Sequence, residues 1–213
     1  MKCSSKQCVI AGAILAGGNA RRVGGVAKGV LKAGGGLSIV EHLINEMSYA
    51  GVSDNVIIAN NPEPYQDYGV KIIADIREDI GPIGGIESGL VHFSGQSDAV
   101  MFVPCDLPNI TAKEMLVLKE TFVESEAPVV FAETPGFFWH PLCVVVHNGL
   151  IKQVSSAIDC GERKIREVWR RVKVVRVLFD DETAFFNVNS SKDIDQWRRE
   201  QPGHSPVFTK GKI

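Results

Sequence analysis

Apolar runs and amphipathic segments alternate along the 213-residue chain. Serine and threonine followed three positions later by glutamate form capping boxes at Ser38 and Thr111, so each predicts the start of a helix. Other segments with apolar residues at helical spacing cover 86–93, 150–158, 164–171 and 190–197. Apolar runs typical of buried strands cover 9–15, 55–59, 70–74, 99–103, 128–132, 142–147 and 173–178, with a short extended piece at 184–188.

This alternation of strands and helices predicts βαβ crossovers and a mainly parallel sheet with helices on both faces. In such sheets the loops after the carboxyl ends of the strands line the ligand cleft, so the chemistry is expected in those loops. Neither an internal repeat nor a linker divides the chain. We therefore expect one domain over residues 1–200 and a disordered tail over residues 201–213.

Composition narrows the classes of partner. A formal charge of −2 and a pI near 6.2 give no electrostatic reason to expect nucleic acid or an anionic membrane. No apolar run approaches the ~20 residues of a membrane helix, and the first eight residues are too polar for a signal peptide. We therefore expect a cytoplasmic protein with reduced thiols, in which Cys105 and Cys143 lie buried in strands.

The loop after the first strand is rich in glycine and basic residues. It contains four glycines together with Arg21, Arg22 and Lys28. Glycines let backbone N–H groups approach an anion, and the cations place positive charge where phosphates would bind. Neither G-x-G-x-x-G nor G-K-[ST] occurs in this loop. Its position after a buried strand favours a phosphate-binding loop over a flexible loop with solvated arginines.

Two acidic residues follow later strands. Asp106 stands between Pro104 and Pro108 after the fourth predicted strand, where it could ligate Mg²⁺ on a nucleotide or merely cap a turn. Asp75 follows the third strand and could bind a base or ribose, or lie in an exposed turn. The glycines at 81, 84 and 85 then permit close contact between a helix N-terminus and a flat ligand, although a plain turn explains them equally well.

Two amides near the end of the chain are further candidates. If residues 184–188 are extended, Asn187 and Asn189 lie on the same side of the strand because side chains alternate at period two. They could orient phosphates or a metal-bound water, or Asn189 could cap the helix that starts at Ser190. His140 precedes Pro141 in an aromatic stretch and could contact an acceptor ligand.

In this order, the motifs resemble those of the molybdenum cofactor guanylyltransferases. The resemblance runs from Val9 to about Trp197. Its markers are Leu15-Ala-Gly-Gly-x-x-x-Arg22-x-Gly-Gly-x-x-Lys28, Asp75 followed by Gly81-Pro-Ile-Gly-Gly85, Pro104-Cys-Asp-x-Pro108, His140-Pro141, Gly161-Glu-Arg163 and Phe186-Asn-Val-Asn189. The first loop and Asp106 are common to many nucleotidyltransferases, whereas the Pro-Cys-Asp-x-Pro and Phe-Asn-x-Asn motifs narrow the resemblance to this branch.

The resemblance implies a fold, a reaction and partners. The fold would be a Rossmann-like three-layer α/β/α sandwich of the nucleotide-diphospho-sugar transferase type. The reaction would be the Mg²⁺-dependent transfer of GMP from GTP to molybdopterin carrying molybdenum, with release of pyrophosphate. GTP and molybdopterin would be the substrates, and molybdoenzymes or cofactor-delivery proteins are candidate transient partners.

The resemblance also implies roles for individual residues. Arg22, Lys28, Asp106, Asn187 and Asn189 would be catalytic, with Asp106 holding the metal. The nucleotide would contact Leu15, Ala16, Gly17, Gly18, Lys28, Ala59, Asn61, Asp75, Gly84 and Asp106. The family often has aspartate before the lysine, where this chain has Ala27, and a polar side chain at the position of Ala59.

Two alternatives remain at this point. A cytidylyltransferase acting on molybdopterin or on a sugar or polyol phosphate would differ in the base pocket around Asp75 and residues 81–85. A nucleotide-binding protein of the same fold that has lost turnover would be consistent with Ala27.

Overall fold

The structure is a computed structural model that describes residues 8–17, 22–23, 26–32, 36–52 and 54–200. The predicted tail at 201–213 lies outside these ranges. The strands are β1 (Ile10–Leu15), β2 (Arg22–Val23), β3 (Val26–Ala27), β4 (Asn55–Ile58), β5 (Lys71–Ile73), β6 (Ala99–Pro104), β7 (Val129–Thr134), β8 (Phe138–His147) and β9 (Val174–Leu178). The α-helices are α1 (Ile39–Tyr49), α2 (Pro82–His92), α3 (Ala112–Glu124), α4 (Ile151–Asp159), α5 (Ile165–Trp169) and α6 (Ser191–Glu200).

Seven strands form one mixed sheet in the order β5-β4-β1-β6-β8-β7-β9. All neighbouring pairs are parallel except the two that involve β8, which runs antiparallel to both β6 and β7. The mainly parallel sheet is thus confirmed, with one reversed strand. β8 begins at Phe138 and includes the segment around His140 that sequence pattern left outside the strand.

Helices cover both faces of the sheet and form two cores. The helices α1, α3 and α6 contribute Leu43, Leu118 and Trp197 to one core. The helices α2, α4 and α5 contribute to the other. Side chains of β1 alternate between them, with Ile14 in the first core and Leu15 in the second. The three layers therefore follow from period-two burial of apolar strand residues.

Two of the local predictions succeed for clear physical reasons. Both capping boxes are present at the starts of α1 and α3, where the serine or threonine and the glutamate satisfy each other's backbone N–H groups. Cys105 and Cys143 are fully buried, and burial raises the pKa of the Cys143 thiol to about 12. Within the described ranges, no helix has the length and apolar character that a membrane crossing requires.

The prediction of an extended segment at 184–188 is wrong. Residues Glu182–Phe185 form a 3₁₀-helix, and residues 186–189 have no regular structure. Phe185 and Val188 are buried three positions apart, whereas a strand would bury alternate residues. The N–H of Val188 donates to the carbonyl of Asp106, a loop contact rather than part of a strand ladder.

Glycines in α2 let this helix lie close to the sheet. A methyl group on Gly89 would lie 2.5 Å from Cε1 of Phe102, whose side chain is fully buried in β6. A methyl group on Gly85 would lie 2.8 Å from Cδ2 of Leu15. The spacing between α2 and the strands β1 and β6 therefore depends on positions that have no side chain.

We predict that Gly89→Ala destabilises the protein although alanine favours helix. The overlap with the Phe102 ring should outweigh the helix gain of ~1 kcal/mol, leaving a net loss of about 1–2 kcal/mol in urea unfolding. Gly84→Ala is the control on the same helix, because its methyl group would meet the flexible Ile80 side chain. Equal stability of Gly89→Ala and the wild type would contradict this account of the packing.

Candidate active site

The carboxyl ends of four parallel strands stop at one edge of the sheet, and backbone hydrogen bonds connect the residues that follow them. The N–H of Ala59 donates to the carbonyl of Ile73, the N–H of Ala16 to Ile58, and the N–H of Cys105 to Leu15, at 2.9, 2.9 and 3.1 Å. The ladder of the sheet thus continues for one residue beyond β4, β1 and β6. The loops after β1, β4, β5 and β6 are therefore brought together, as the topology predicts.

Asp75 is held by a residue from the neighbouring loop. Its backbone N–H donates to Oδ1 of Asn60 at 2.8 Å, and Nδ2 of Asn60 donates to Oδ2 of Asp75 at 3.0 Å. The two residues follow β5 and β4, which pair directly. A methyl group on Gly85 would lie 3.6 Å from Oδ1 of Asp75, so the helix α2 approaches this carboxylate closely. Asp75, Asn60 and Gly85 form one side of the site, which we call the base side after the predicted role of Asp75 toward a base or ribose.

The side chain of Lys28 is buried and faces Asn189. Only 2% of the residue is exposed, and its ammonium group donates to Oδ1 of Asn189 at 2.9 Å. These residues are 161 positions apart in the chain. A buried cation requires an oxygen partner, because its loss of hydration is otherwise uncompensated. The predicted phosphate-binding lysine and the predicted catalytic amide are therefore in direct contact.

Asn189 does not cap the last helix with its side chain. The hydroxyl of Ser190 accepts from the N–H of Asp193, and the Asp193 carboxylate accepts from the N–H groups of Asn189 and Ser190. These backbone hydrogen bonds, with a smaller contribution from the charge of Lys28, lower the pKa of Asp193. Because Ser190 and Asp193 satisfy the start of α6, the Asn189 amide is available to Lys28.

Gly29, the residue after Lys28, packs closely against Tyr65. A methyl group on Gly29 would lie 2.6 Å from Val40 and 2.9 Å from the Tyr65 ring, so only glycine fits there. The Tyr65 hydroxyl lies 3.5 Å from the carbonyl of Ala16, in the first loop. Sequence reasoning missed Tyr65, which is buried in an otherwise exposed segment and carries no motif.

Asp106 lies at the carboxyl end of β6, half-buried. Its carbonyl accepts the Val188 N–H at 2.9 Å, so the Asp106 loop is joined to the segment that carries Asn189. Within the described residues, its carboxylate forms no hydrogen bond or ion pair, and no three His, Cys, Asp or Glu side chains cluster as a metal site. Mg²⁺ on nucleotides commonly takes one or two carboxylates together with phosphate oxygens and water, and a single carboxylate here fits that mode.

The remaining predicted site residues have fewer contacts that point to a role in the site. Asn187 is exposed beside Asn189. The Asn61 side chain accepts the N–H of Glu63 within its own turn, so Asn60 is the residue of this pair that reaches Asp75. Gly84 is buried within α2, with its carbonyl bonded to Ser88. Gly17 packs against residues 58–60, whereas Gly18 and the side chain of Arg22 lie outside what the structure describes.

His140 lies in an aromatic environment at the start of β8. Its ring centroid is 4.6 Å from that of Phe185 and 5.1 Å from that of Phe138, and its Nε2 is 3.1 Å from Oγ1 of Thr134. Burial lowers the pKa of His140 to about 4. The imidazole is therefore neutral at pH 7 and could serve as a hydrogen-bonding group, without charge, toward a ligand.

Solved structures similar to this chain define its class by fold. A molybdopterin-guanine dinucleotide biosynthesis protein A from Archaeoglobus fulgidus aligns with a TM-score of 0.72 at 22% identity, covering 88% of this chain and 96% of that one. A cytidylyltransferase from Leptospira borgpetersenii aligns with a TM-score of 0.66 at 13% identity, covering 90% and 86%. The chain thus has the nucleotidyltransferase fold of the nucleotide-diphospho-sugar transferase type, as predicted.

Sequence comparison identifies the family. The model of the MobA-like NTP transferase domain matches residues 12–177, and the chain belongs to that family of nucleotidyltransferases. A molybdenum cofactor guanylyltransferase from Aliivibrio fischeri is 32% identical over 187 residues, covering 86% of this chain and 93% of the relative. One from Serratia proteamaculans is 29% identical over 195 residues, covering 90% and 95%.

We predict that His140 makes the protein less stable in mild acid. Its pKa is about 4 when folded and near 6.5 when unfolded, so between these values the unfolded chain binds more protons. Stability should therefore fall as the pH decreases through this window, by about 2 kcal/mol from pH 7.5 to pH 5 for this group. Urea unfolding at both pH values should show a smaller loss for His140→Gln than for the wild type. An equal loss in the two proteins would contradict the prediction.

Proposed function

We propose that this protein transfers GMP from GTP to molybdopterin carrying molybdenum, forming the guanine dinucleotide cofactor and releasing pyrophosphate. The family match and the relatives named molybdenum cofactor guanylyltransferase support the proposal. The observation that carries it is the buried Lys28 ammonium, held by Asn189 beside the loop of Asp106. This arrangement provides a fixed positive charge and, as far as the described residues go, a carboxylate without a partner at one edge of the sheet.

The reaction requires charge neutralisation and alignment more than proton transfer. An oxygen of the acceptor phosphate forms a bond with the α-phosphorus of GTP. The bond between the α-phosphorus and the α,β-bridging oxygen breaks, and pyrophosphate leaves with the electron pair. An acceptor phosphate is already ionised at neutral pH, so no general base has to be supplied. A site built from Lys28, Asp106 and amides suits this chemistry.

Each part of the site has a proposed role. Lys28 binds the GTP phosphates, and Asn189 holds its ammonium in position. We assign Asn187 and Arg22 to contacts with the reacting phosphates and the acceptor. Asp106 would hold Mg²⁺, which supplies charge neutralisation on the phosphates when bound. On the base side, Asp75 hydrogen-bonds the guanine or ribose, near Ala59, Asn61 and Gly84. The backbone of residues 15–18 contacts the nucleoside.

We propose further that the substrates are bound by one cytoplasmic domain that spans residues 1–200. The fold and the site use elements from β1 to α6, and the last of these elements ends at Glu200. Molybdoenzymes or cofactor-delivery proteins would receive the product through transient contact.

Nucleotide preference is the first test of this function. We predict that GTP with Mg²⁺ raises the apparent stability by ~2.7 kcal/mol at a hundredfold excess over its Kd, because it binds only the folded state. Thermal unfolding with GTP, CTP, ATP and UTP, each with and without Mg²⁺, measures this. A larger shift with CTP would replace the proposal with a cytidylyltransferase. The absence of any shift would indicate a protein that has lost nucleotide binding.

Variants of Lys28 and Asp106 test the site itself. Lys28→Met keeps the buried volume but removes the charge, and should weaken GTP binding about 10- to 100-fold in calorimetry. Asp106→Asn should lower the rate of pyrophosphate release about a hundredfold or more.

Matched controls exist for both variants. Lys152→Met changes an exposed lysine on α4, and Asp98→Asn changes the aspartate at the opposite end of β6, where it accepts the Val9 N–H. Both should retain wild-type binding and rate. Full activity in Asp106→Asn would remove the proposed metal role, and unchanged GTP affinity in Lys28→Met would remove the proposed phosphate contact.

A further inference from the structure

The loop between β5 and α2 is fastened at three successive residues. Asp75 pairs with Asn60, as described above. The N–H of Ile76 donates to the Ser88 hydroxyl at 2.8 Å. The next residue, Arg77, forms ion pairs with Glu87 of α2 and with Asp159 at the end of α4. Within a few residues this loop leads to Gly81, where α2 begins, so its position sets the geometry of the base side.

Glu87 is an unusual residue for its place in the structure. It stands among apolar residues of α2 that face the second core, and it is only 3% exposed. Its Oε1 accepts from the Ser155 hydroxyl at 2.6 Å, whereas its Oε2 has no hydrogen bond within the described residues and lies 3.0 Å from Nε of Arg77 as an ion pair. A carboxylate buried to this degree is strongly destabilising unless it is paired and hydrogen-bonded.

The loop between β5 and α2 supplies Arg77, the charged partner of Glu87. The position of this loop is therefore coupled energetically to the burial of Glu87. Ser155 lies on α4 and offers one neutral hydrogen bond, whereas Arg77 brings the only positive charge paired with Glu87 among the described residues. If the loop moved away, Glu87 would remain buried without its counter-charge. The free energy of that unpaired charge therefore holds Arg77, and with it Asp75 and Ile76, in the observed position.

We propose that Glu87 and Arg77 are positioning residues that fix the base side of the nucleotide site and so determine its affinity for the nucleotide base. They act through Asp75 and the start of α2 and do not touch the substrate. This inference rests on the proposed function, because it assigns the base to that side of the site. Lys28 begins the 3₁₀-helix Lys28–Val30 and Asp106 follows β6, and neither of them is a partner in this ion pair.

A change confined to the base side has a distinct kinetic signature. Loosening the loop should weaken ground-state binding of GTP without altering the groups at the α-phosphorus. We therefore expect a higher KM and Kd for GTP with little change in kcat at saturating GTP or in the KM of the acceptor. Discrimination between GTP and CTP should fall as well, because the affinity for GTP and the preference over CTP depend on the same contacts on the base side.

The chain offers a matched control. Glu133 is also a buried glutamate, 7% exposed, and its Oε2 lies 3.0 Å from Nη1 of Arg176. It lies on β7, which is the sixth strand in the order of the sheet when β5 is counted as the first. Glu133→Gln should lower the melting temperature as Glu87→Gln does, but it should leave GTP binding unchanged.

The decisive experiment compares Glu87→Gln, Arg77→Met, the double variant and Glu133→Gln. We expect each Glu87 or Arg77 single variant to raise the Kd for GTP about tenfold, which corresponds to about 1.4 kcal/mol. The double variant should lose little more, because the two residues act as one pair. Wild-type Kd, KM and GTP/CTP preference in both single variants, with a lowered melting temperature alone, would overturn the proposal.

Hydrogen exchange of the nucleotide-free protein separates this proposal from the proposed function. The amides of residues 75–81 should exchange faster in Glu87→Gln and Arg77→Met than in the wild type or in Glu133→Gln. Failure of the wild type to bind GTP would refute the proposed function. The exchange rates of residues 75–81 would then still test whether Glu87 and Arg77 hold the loop in place. Unchanged exchange in this loop would refute the positioning role, even in a protein that binds GTP. If Glu87→Gln does not fold, the GTP affinity and the hydrogen exchange of Arg77→Met test the proposal.

Discussion

The parallel register of β5, β4, β1 and β6 is the constraint on which the rest of this structure depends. Because the four strands end at the same level, the residues after them share one edge, and the hydrogen-bond ladder extends into their loops. Asn60 can then reach Asp75, and the Asp106 loop can bind the segment that carries Asn189. A one-residue slip would turn every strand side chain to the other core, so burial of both faces enforces this alignment.

Much of this edge could be predicted from sequence because its signals are local. A buried run followed by a glycine or an aspartate marks a strand end, and capping boxes mark helix starts, so the order of elements and the positions of Asp75 and Asp106 were predictable. Contacts between distant residues carry no such signal. The pairing of Lys28 with Asn189, the wedge of Tyr65 against Gly29 and the ion pair of Arg77 with Glu87 depend on how the elements pack.

The error at residues 184–188 shows where pattern reasoning fails. Phe185 and Val188 are apolar, and a short apolar segment is compatible with a strand. Here the apolar side chains anchor an irregular segment that crosses the carboxyl ends of the strands, and its backbone bonds to the Asp106 loop. Such a path leaves the amides of Asn187 and Asn189 at the surface. A strand would have used the same backbone groups in a ladder and would have lost the contact with Asp106.

The two sides of the site are stabilised by different means, and this has a functional consequence. Around Lys28, the buried ammonium is held by the neutral amide of Asn189, and its charge also helps to lower the pKa of the Asp193 carboxylate. On the base side, Arg77 forms ion pairs with both Glu87 and Asp159, so the charges next to the loop of Asp75 are compensated within the protein. If the proposed function holds, a protein of net charge −2 would bind phosphates through a local cation and would recognise an uncharged base through the positions of hydrogen-bonding groups. Under that function, the contacts to the phosphates and the contacts to the base would depend on different parts of the fold, so the base contacts could change while the groups at the phosphates stay in place.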